Sequence, residues 1–340
     1  LEPGVTLDVA RPHGESHDGA SYGLLTVVPP DVTADDEAVP RDLIVLLDSS
    51  GSMRGAPLEQ AKRAIKALID SLLEHDRLEL IEFSEGARRW TPAPTFATSD
   101  HKRAAMQWLD SLTARGGTEM RKALLDAMSP LRPGSQRQIV LVTDGYIGFE
   151  RETLEAVLSQ LPSGCRIHSL GVGAAVNRTL TQGVARAGGG EEVVITVDED
   201  VEPAVMRLRR RLDRPLVTNL RIEGDGVRDH APLRLPDLYA AAPAMVALRL
   251  AEGTMLRVSG VTSQGPFTHE LAIPSVDAGA GNEGVVALYG REKVEDLETQ
   301  LSAGGSAEEL DREIEDMGLL FQLATRMTSW VAVGDRIDAP

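Results

Sequence analysis

The sequence predicts an α/β protein: a doubly wound, mostly parallel sheet, joined to a second, β-rich unit and C-terminal helices. Three observations point there. Buried-type apolar runs recur at Leu43–Leu47, Ile139–Val142 and Ile167–Val172, as in parallel strands covered on both faces. Amphipathic helical stretches separate them, which is the alternation of βα units. From Pro215 onward the pattern changes to short strands broken by Gly, Pro and Asp.

In chain order, residues 1–40 hold two strand candidates, Val5–Ala10 and Tyr22–Val28. They flank the α/β domain in sequence and could join the later strands in space. The α/β domain is placed at 41–214. Besides the three apolar runs it contains a mixed strand, Leu78–Phe83, and a short one, Val193–Val197. Its first helix has Pro57 at a position suited to N1, then Leu58, Ala61, Ile65, Leu68 and Leu72 on one stripe. Further helices are expected near 100–112, 119–129, 150–161, 177–187 and 200–213. Residues 215–283 read as an antiparallel β unit with strands Val217–Ile222, Met245–Leu250, Met255–Val261 and Phe267–Ile273. The segment 284–340 is helical, with helices at 284–301 and 306–327, the second opened by a Ser306/Glu309 capping box. Gly-rich stretches 278–284 and 302–305 read as loops.

Composition narrows the function classes. The 340-residue chain is ordinary for a globular protein, with 42% hydrophobic and 26% charged residues. A net charge of −17 argues against nucleic-acid or membrane-surface partners, which require a basic face. The single cysteine, Cys165, excludes an internal disulfide and a thiolate zinc cluster. The longest apolar run, Ala240–Leu248, is interrupted by Pro243 and is too short to span a bilayer. No signal peptide is visible, and the chain begins at Leu1, so the sequence assigns no compartment.

Chemistry concentrates where strands are predicted to end. Asp48, Ser50 and Ser52 follow the first buried strand, with Gly51 expected to let the chain turn. Asp144 follows "IVLVT", and Thr118 stands in "ARGGTEM" just before a helix. In open α/β sheets ligands bind beyond the carboxyl ends of the strands, where strand order reverses. If the strands ending at Leu47 and Thr143 are neighbours, two carboxylates and three hydroxyls meet there. That hard-oxygen set favours Mg²⁺, Mn²⁺ or Ca²⁺ over zinc. Each residue also has a plainer reading: Asp48, Ser50 and Ser52 as a polar turn, Thr118 as a helix cap, Asp144 as a turn residue before Gly145. Capping and ligation are compatible.

Other motifs carry less. "GVGAAV" (171–176), with Glu191 and Glu192 downstream, lacks the third glycine of a dinucleotide site and suits a tight strand-to-helix connection. Arg207, Arg209, Arg210, Arg211 and Arg214 fall at a helix C-terminus, where cations suit the dipole. His13 and His17 lie in a segment without helical pattern, and Ser99 is expected to cap the helix after it. Cys165 and Trp108 read as core. Met53 and Arg54 border the cluster and could touch a partner. No G-x-S-x-G elbow, P-loop or H-E-x-x-H occurs.

Taken as an ordered set, "DSSGS", "GGT" and "TDG" resemble the metal-ion-dependent adhesion site of von Willebrand factor type A domains, a likeness that spans about 41–214. The resemblance implies that Ser50, Ser52 and Thr118 supply hydroxyl ligands, while Asp48 and Asp144 hold the metal directly or through waters. It also implies an open coordination position for an Asp or Glu of a partner protein. A narrower likeness, in "SYGLLTVVPP", "PRDLIVLLDSSGSM", "LGVGAAVNRTL" and "LATRMTSWVAV", is to bacterial relatives of inter-alpha-trypsin inhibitor heavy chains. There a VIT domain precedes the type A domain, and forty residues are too few for one, so a truncated or reduced variant is expected. The implied function is a non-enzymatic, divalent-metal-dependent protein-binding module. The alternative is a phosphatase-like metal-dependent hydrolase, with Glu119 as its best candidate base.

Overall fold

The computed structural model describes residues 4–13, 17–29, 38–128, 132–146, 148–196, 199–213, 215–240, 242–251 and 255–331. Its strands are β1 Gly4–Ala10, β2 Ser21–Val28, β3 Arg41–Asp48, β4 Arg77–Phe83, β5 Ala87–Arg89, β6 Thr95–Phe96, β7 Gln136–Thr143, β8 Cys165–Val172 and β9 Gly189–Ile195. Beyond the α/β unit follow β10 Pro215–Gly224, β11 Val227–Ala231, β12 Leu238–Tyr239, β13 Ala244–Leu250, β14 Met255–Thr262 and β15 Gly265–Ala272. The helices are α1 Ala56–Asp70, α2 Ser99–Asp110, α3 Met120–Met128, α4 Glu150–Gln160, α5 Arg178–Ala187, α6 Val201–Arg209, α7 Glu283–Ser302 and α8 Ala307–Leu320.

The central sheet has the order β5-β4-β3-β7-β8-β9, with β6 pairing the far part of β4. From β4 to β9 the strands are parallel; β5 and β6 run antiparallel to β4. β3, β7 and β8 are buried along their whole length, which explains their unbroken apolar runs. Alternate residues feed opposite faces. Leu43, Val45 and Leu47 pack with α1, α2 and α6, while Ile44 and Leu46 pack with α3, α4 and α5. The chain leaves β3 toward β4 on one side and returns to β7 on the other. Strand order therefore reverses between β3 and β7.

The flanking segments form two four-stranded sheets, β1-β2-β13-β11 and β12-β10-β14-β15. The N-terminal strands thus share a sheet with strands more than two hundred residues later: β2 pairs β13 with Ala244 opposite Val27. Leu25, Val27, Leu248, Leu250, Leu256 and Val258 fill the core between the sheets. α7 covers the β1-β2-β13 sheet through Val285 and Tyr289, beside Tyr22 and Phe321.

Several elements differ from expectation. The short β5, β6, β11 and β12 are additional strands, each two to five residues long and too brief for a readable period. α8 stops at Leu320, not at 327, because Gln322 takes a left-handed φ of 53°. Leu323 N–H then donates to Gly318 C=O (2.8 Å), as in a Schellman stop. Ser306 occupies the N-cap of α8 but makes no side-chain capping bond. Before α2 the cap is Thr98, not Ser99, its hydroxyl accepting from His101 N–H at 3.3 Å. Val197 and Arg214 lie outside the described residues.

Candidate metal centre

β3 ends on Asp48, and β7, its parallel neighbour, ends on Thr143 with Asp144 next in the chain. Leu47 stands opposite Val142, so the two carboxylates emerge side by side at the point where strand order reverses. Both are buried, at 0% and 6% exposure. Asp48 Oδ1 accepts the Ser50 N–H (2.8 Å) and Oδ2 accepts the Thr143 hydroxyl (2.7 Å). Asp144 Oδ1 accepts the Tyr146 N–H at 3.1 Å. Neither carboxylate is ion-paired to a Lys, Arg or His among the described residues. Burial pushes the Asp48 carboxyl up from its ordinary range; the bonds from Thr143 and Ser50 oppose this, and the charge of Asp144 adds to it.

The turn after Asp48 brings in the hydroxyls. Ser50 Oγ and Ser52 Oγ lie 3.1 Å apart across a single 3₁₀ turn, Gly51–Met53. Ser52 is exposed and Ser50 buried, so the pair spans from the floor of the site to its rim. Two sequence expectations are corrected here. Met53 is fully buried among Leu58, Ala61 and the other α1 contacts of the core, so it faces no partner; Arg54 is exposed. The residue that needs glycine's freedom is Gly55, with φ 84° just ahead of α1, rather than Gly51.

Thr118 arrives on the loop between α2 and α3. Arg115 N–H donates to Ser49 C=O (2.6 Å), Gly51 N–H to Gly116 C=O (3.2 Å), and Glu119 N–H to Ser84 C=O (2.6 Å). The loop is thus tied on one side of Thr118 to the β3 turn and on the other to the end of β4. Thr118 is half-buried, and its hydroxyl has no hydrogen-bond partner among the described residues. Opposite, Asn177 N–H donates to Asp144 C=O (2.9 Å) and its side-chain amide to Gly145 C=O (3.2 Å), fixing the β7–α4 loop. Gly145 has φ 83°, and a Cβ there would sit 2.9 Å from that of Asn177.

Two residues that motif reading passes over support the site. Thr143 is fully buried and joins the strands through Asp48, while its oxygen accepts the Gly145 N–H at 2.9 Å. Ser49 donates to the buried Glu82 carboxylate, which Arg88 also holds at 3.1 Å. A hydroxyl inside an apolar strand or facing away from a motif leaves no spacing signal.

Chemically, the arrangement offers anionic and neutral hard oxygens and no soft donor. Among the described residues no three of His, Cys, Asp and Glu converge, so a zinc-type cage is not formed. Two buried carboxylates of like charge with no cationic side chain fit one divalent cation. The donor chemistry is that of Mg²⁺, Mn²⁺ or Ca²⁺.

The remaining motifs lie elsewhere. A Cβ on Gly171 would meet Val176 at 2.6 Å, and Glu192 is held by Arg178 and Thr181, so "GVGAAV" packs a tight connection. His17 is buried against the Tyr22 hydroxyl (3.0 Å). Cys165 is buried, its thiol pushed up to about 12. Trp108 is half-buried with Arg88 over its ring. Arg209 pairs with Asp213 and Arg211 with Glu191.

A doubly wound sheet bearing oxygen donors at its switch point is an α/β architecture that hosts many functions, and comparison with known proteins narrows the class. The family model described as von Willebrand factor type A domain matches residues 41–194, and the chain carries such a domain. A von Willebrand factor A domain-containing protein of Dictyostelium discoideum is 25% identical over 95% of this chain, and an inter-alpha-trypsin inhibitor heavy chain of Bos taurus is 27% identical over 54%. The matches span 16% and 22% of those two relatives' own lengths. Among solved structures, a von Willebrand factor type A protein from Catenulispora acidiphila superposes with a TM-score of 0.65 at 16% identity, over 94% of this chain and 87% of that one. The ArnB paralog VWA2 from Sulfolobus acidocaldarius does so with a TM-score of 0.60 at 14% identity, over 94% and 90%. These likenesses in fold extend past the type A domain to the flanking sheets.

Proposed function

We propose that the chain is a non-enzymatic protein-binding module whose grip depends on a divalent cation, held by Asp48, Ser50, Ser52, Thr118 and Asp144. The carrying observation is the pair of buried carboxylates on adjacent strand ends with no positive side chain to balance them. Bound there, Mg²⁺ or Mn²⁺ would supply a Lewis-acidic position for an Asp or Glu oxygen of a partner protein. Thr143 and the Ser50 amide orient the Asp48 carboxylate, and the stitched 113–119 loop presents Thr118. Tyr146 and Phe149, 57% and 60% exposed beside Asp144, offer apolar contact area to the same partner. An acid clamped in such a partly dry interface is held more strongly than in an exposed ion pair, and reversibly.

Calorimetric titration with MnCl₂ tests the reading. The wild type binds one ion and Asp48→Ala none; unchanged binding in the variant overturns the site. Capture of partner proteins in Mg²⁺ against EDTA then tests the interaction, an EDTA-insensitive partner counting against metal bridging. Asp48-dependent turnover of p-nitrophenyl phosphate would replace the binding module by a hydrolase.

A further inference from the structure

At the other end of the parallel sheet from Asp48 lies a cavity of about 560 Å³, within the range of small-molecule sites. The start of β8, the end of α5, β10, the end of β11 with the loop after it, and α7 line it, so it sits between the type A domain and the flanking β and helical layers. In a chain of net charge −17 its lining carries four guanidinium groups, Arg166, Arg186, Arg221 and Arg234, against two carboxylates, Glu223 and Asp296.

Two of these arginines are already neutralised. Arg186 holds Asp296 (2.8 Å) and Glu292 (3.0 Å), and Arg166 holds the fully buried Asp237 (2.6 Å). The other two are not. Arg234 is half-buried; its Nε donates to Ala187 C=O (2.9 Å), and no carboxylate partners it among the described residues. Arg221, exposed on β10, has none either. Arg166, with a side chain only 4% exposed, keeps a buried Nε–H without an acceptor. A buried N–H without an acceptor on Arg166 and a half-buried guanidinium without a paired carboxylate on Arg234 are both satisfied by an anion in the cavity. Leu158, Leu220, Ile222 and Leu235 supply apolar wall.

We propose that this cavity binds a small organic anion, an oxyanion head group on an apolar body, with Arg234 and Arg221 gripping the head. Guanidinium forks match phosphate and carboxylate oxygens in paired hydrogen bonds, and the leucine and isoleucine wall takes the body. The site is independent of the cation site: Arg166 lies at the start of β8, while Asp48 ends β3 and Asp144 follows β7 at the opposite end of the parallel strands.

Calorimetry in EDTA, which silences the metal site, tests this with hexyl phosphate, hexanoate and hexanol as probes. At least one anion binds at millimolar concentration while hexanol does not, and Arg234→Gln and Arg221→Gln each weaken it about tenfold, or 1.4 kcal/mol. Binding of hexyl phosphate alone assigns a phosphate head, hexanoate alone a carboxylate. The proposal falls if neither anion binds, if hexanol binds equally well, or if both variants bind like wild type. Should Arg234→Gln fail to fold, the exposed Arg221→Gln decides by itself.

Discussion

Thr143 donates its hydroxyl proton to Asp48 Oδ2 across the β3–β7 boundary (2.7 Å), and the same oxygen accepts the Gly145 N–H (2.9 Å). One buried side chain thereby sets both the carboxylate rotamer at the end of one strand and the backbone after the next. Thr143→Val keeps the shape of a fully buried position but removes both bonds. On the metal-site reading, Mn²⁺ affinity drops by about 10- to 100-fold, the usual effect of losing a group that orients a ligand. Thr143→Ser, which retains the hydroxyl, stays close to wild type. Calorimetric Kd values check both, and equal affinity in the valine variant would remove Thr143 from the site.

Asp144→Asn separates the metal from the fold. Without cation, Asp48 and Asp144 repel each other in a buried setting, and the amide still accepts the Tyr146 N–H. In EDTA the variant therefore melts higher than wild type, by about 1–2 °C for each 1 kcal/mol of repulsion relieved. In Mg²⁺ the order inverts, because only the wild type gains stability from binding. Differential scanning calorimetry with and without Mg²⁺ reads both signs. A wild type whose Tm ignores Mg²⁺ contradicts the prediction.

The fold was legible wherever burial was two-sided and long. β3, β7 and β8 are eight residues each, so their apolar runs stand out, and α1 shows its stripe from Leu58 to Leu68. The short β5, β6, β11 and β12 carry too few residues for a pattern. Apolar spacing also continues past Leu320, yet there Thr325 N–H and Thr328 N–H bond the opposite hydroxyls and Gln322 reverses the chain. In the candidate site, Asp48, Ser50, Ser52, Thr118 and Asp144 were readable from motif order. Thr143 and Ser49 were not, because a hydroxyl that serves a neighbouring strand is defined by sheet order. The buried position of Met53 likewise depends on how the 3₁₀ turn faces α1.

His168 makes stability depend on pH. Its ring is buried, Nδ1 accepts the Glu191 N–H (3.1 Å), and Nε2 has no partner. Burial, then Arg166 and Arg211, lower its pKa to about 3 from an unfolded value of 6.5. Below pH 6.5 the unfolded chain takes up a proton that the folded chain refuses. The stabilising contribution is therefore complete above 6.5 and is lost progressively as pH falls toward 3. Well inside that window the slope is about 1.4 kcal/mol per pH unit. Urea denaturation at pH 7.5 and 5.0 shows this loss in wild type, and His168→Gln lacks that part of it. Identical pH slopes in both proteins would mean that His168 titrates in the folded state.

Gly290 faces Phe321 where α7 meets the end of α8. A Cβ there would lie 2.3 Å from Phe321 Cγ and 2.6 Å from its Cβ, at the stem of the side chain and not at a mobile tip. Phe321 is further hemmed in by Tyr22, Tyr289 and His17, with ring centroids 5.4–5.8 Å away. Two effects oppose each other in Gly290→Ala. Alanine favours the helix by about 1 kcal/mol, while overpacking a closed cluster costs about 1–3 kcal/mol. The clash is with fixed atoms, so the cost prevails and the variant is destabilised by about 1 kcal/mol. The sign should reverse once the obstacle is removed. In a Phe321→Ala background, itself less stable by about 3–5 kcal/mol, adding Gly290→Ala stabilises by up to about 1 kcal/mol. A double-mutant cycle by chemical denaturation measures this directly. If Gly290→Ala has the same sign in both backgrounds, the contact with Phe321 does not decide the residue at 290.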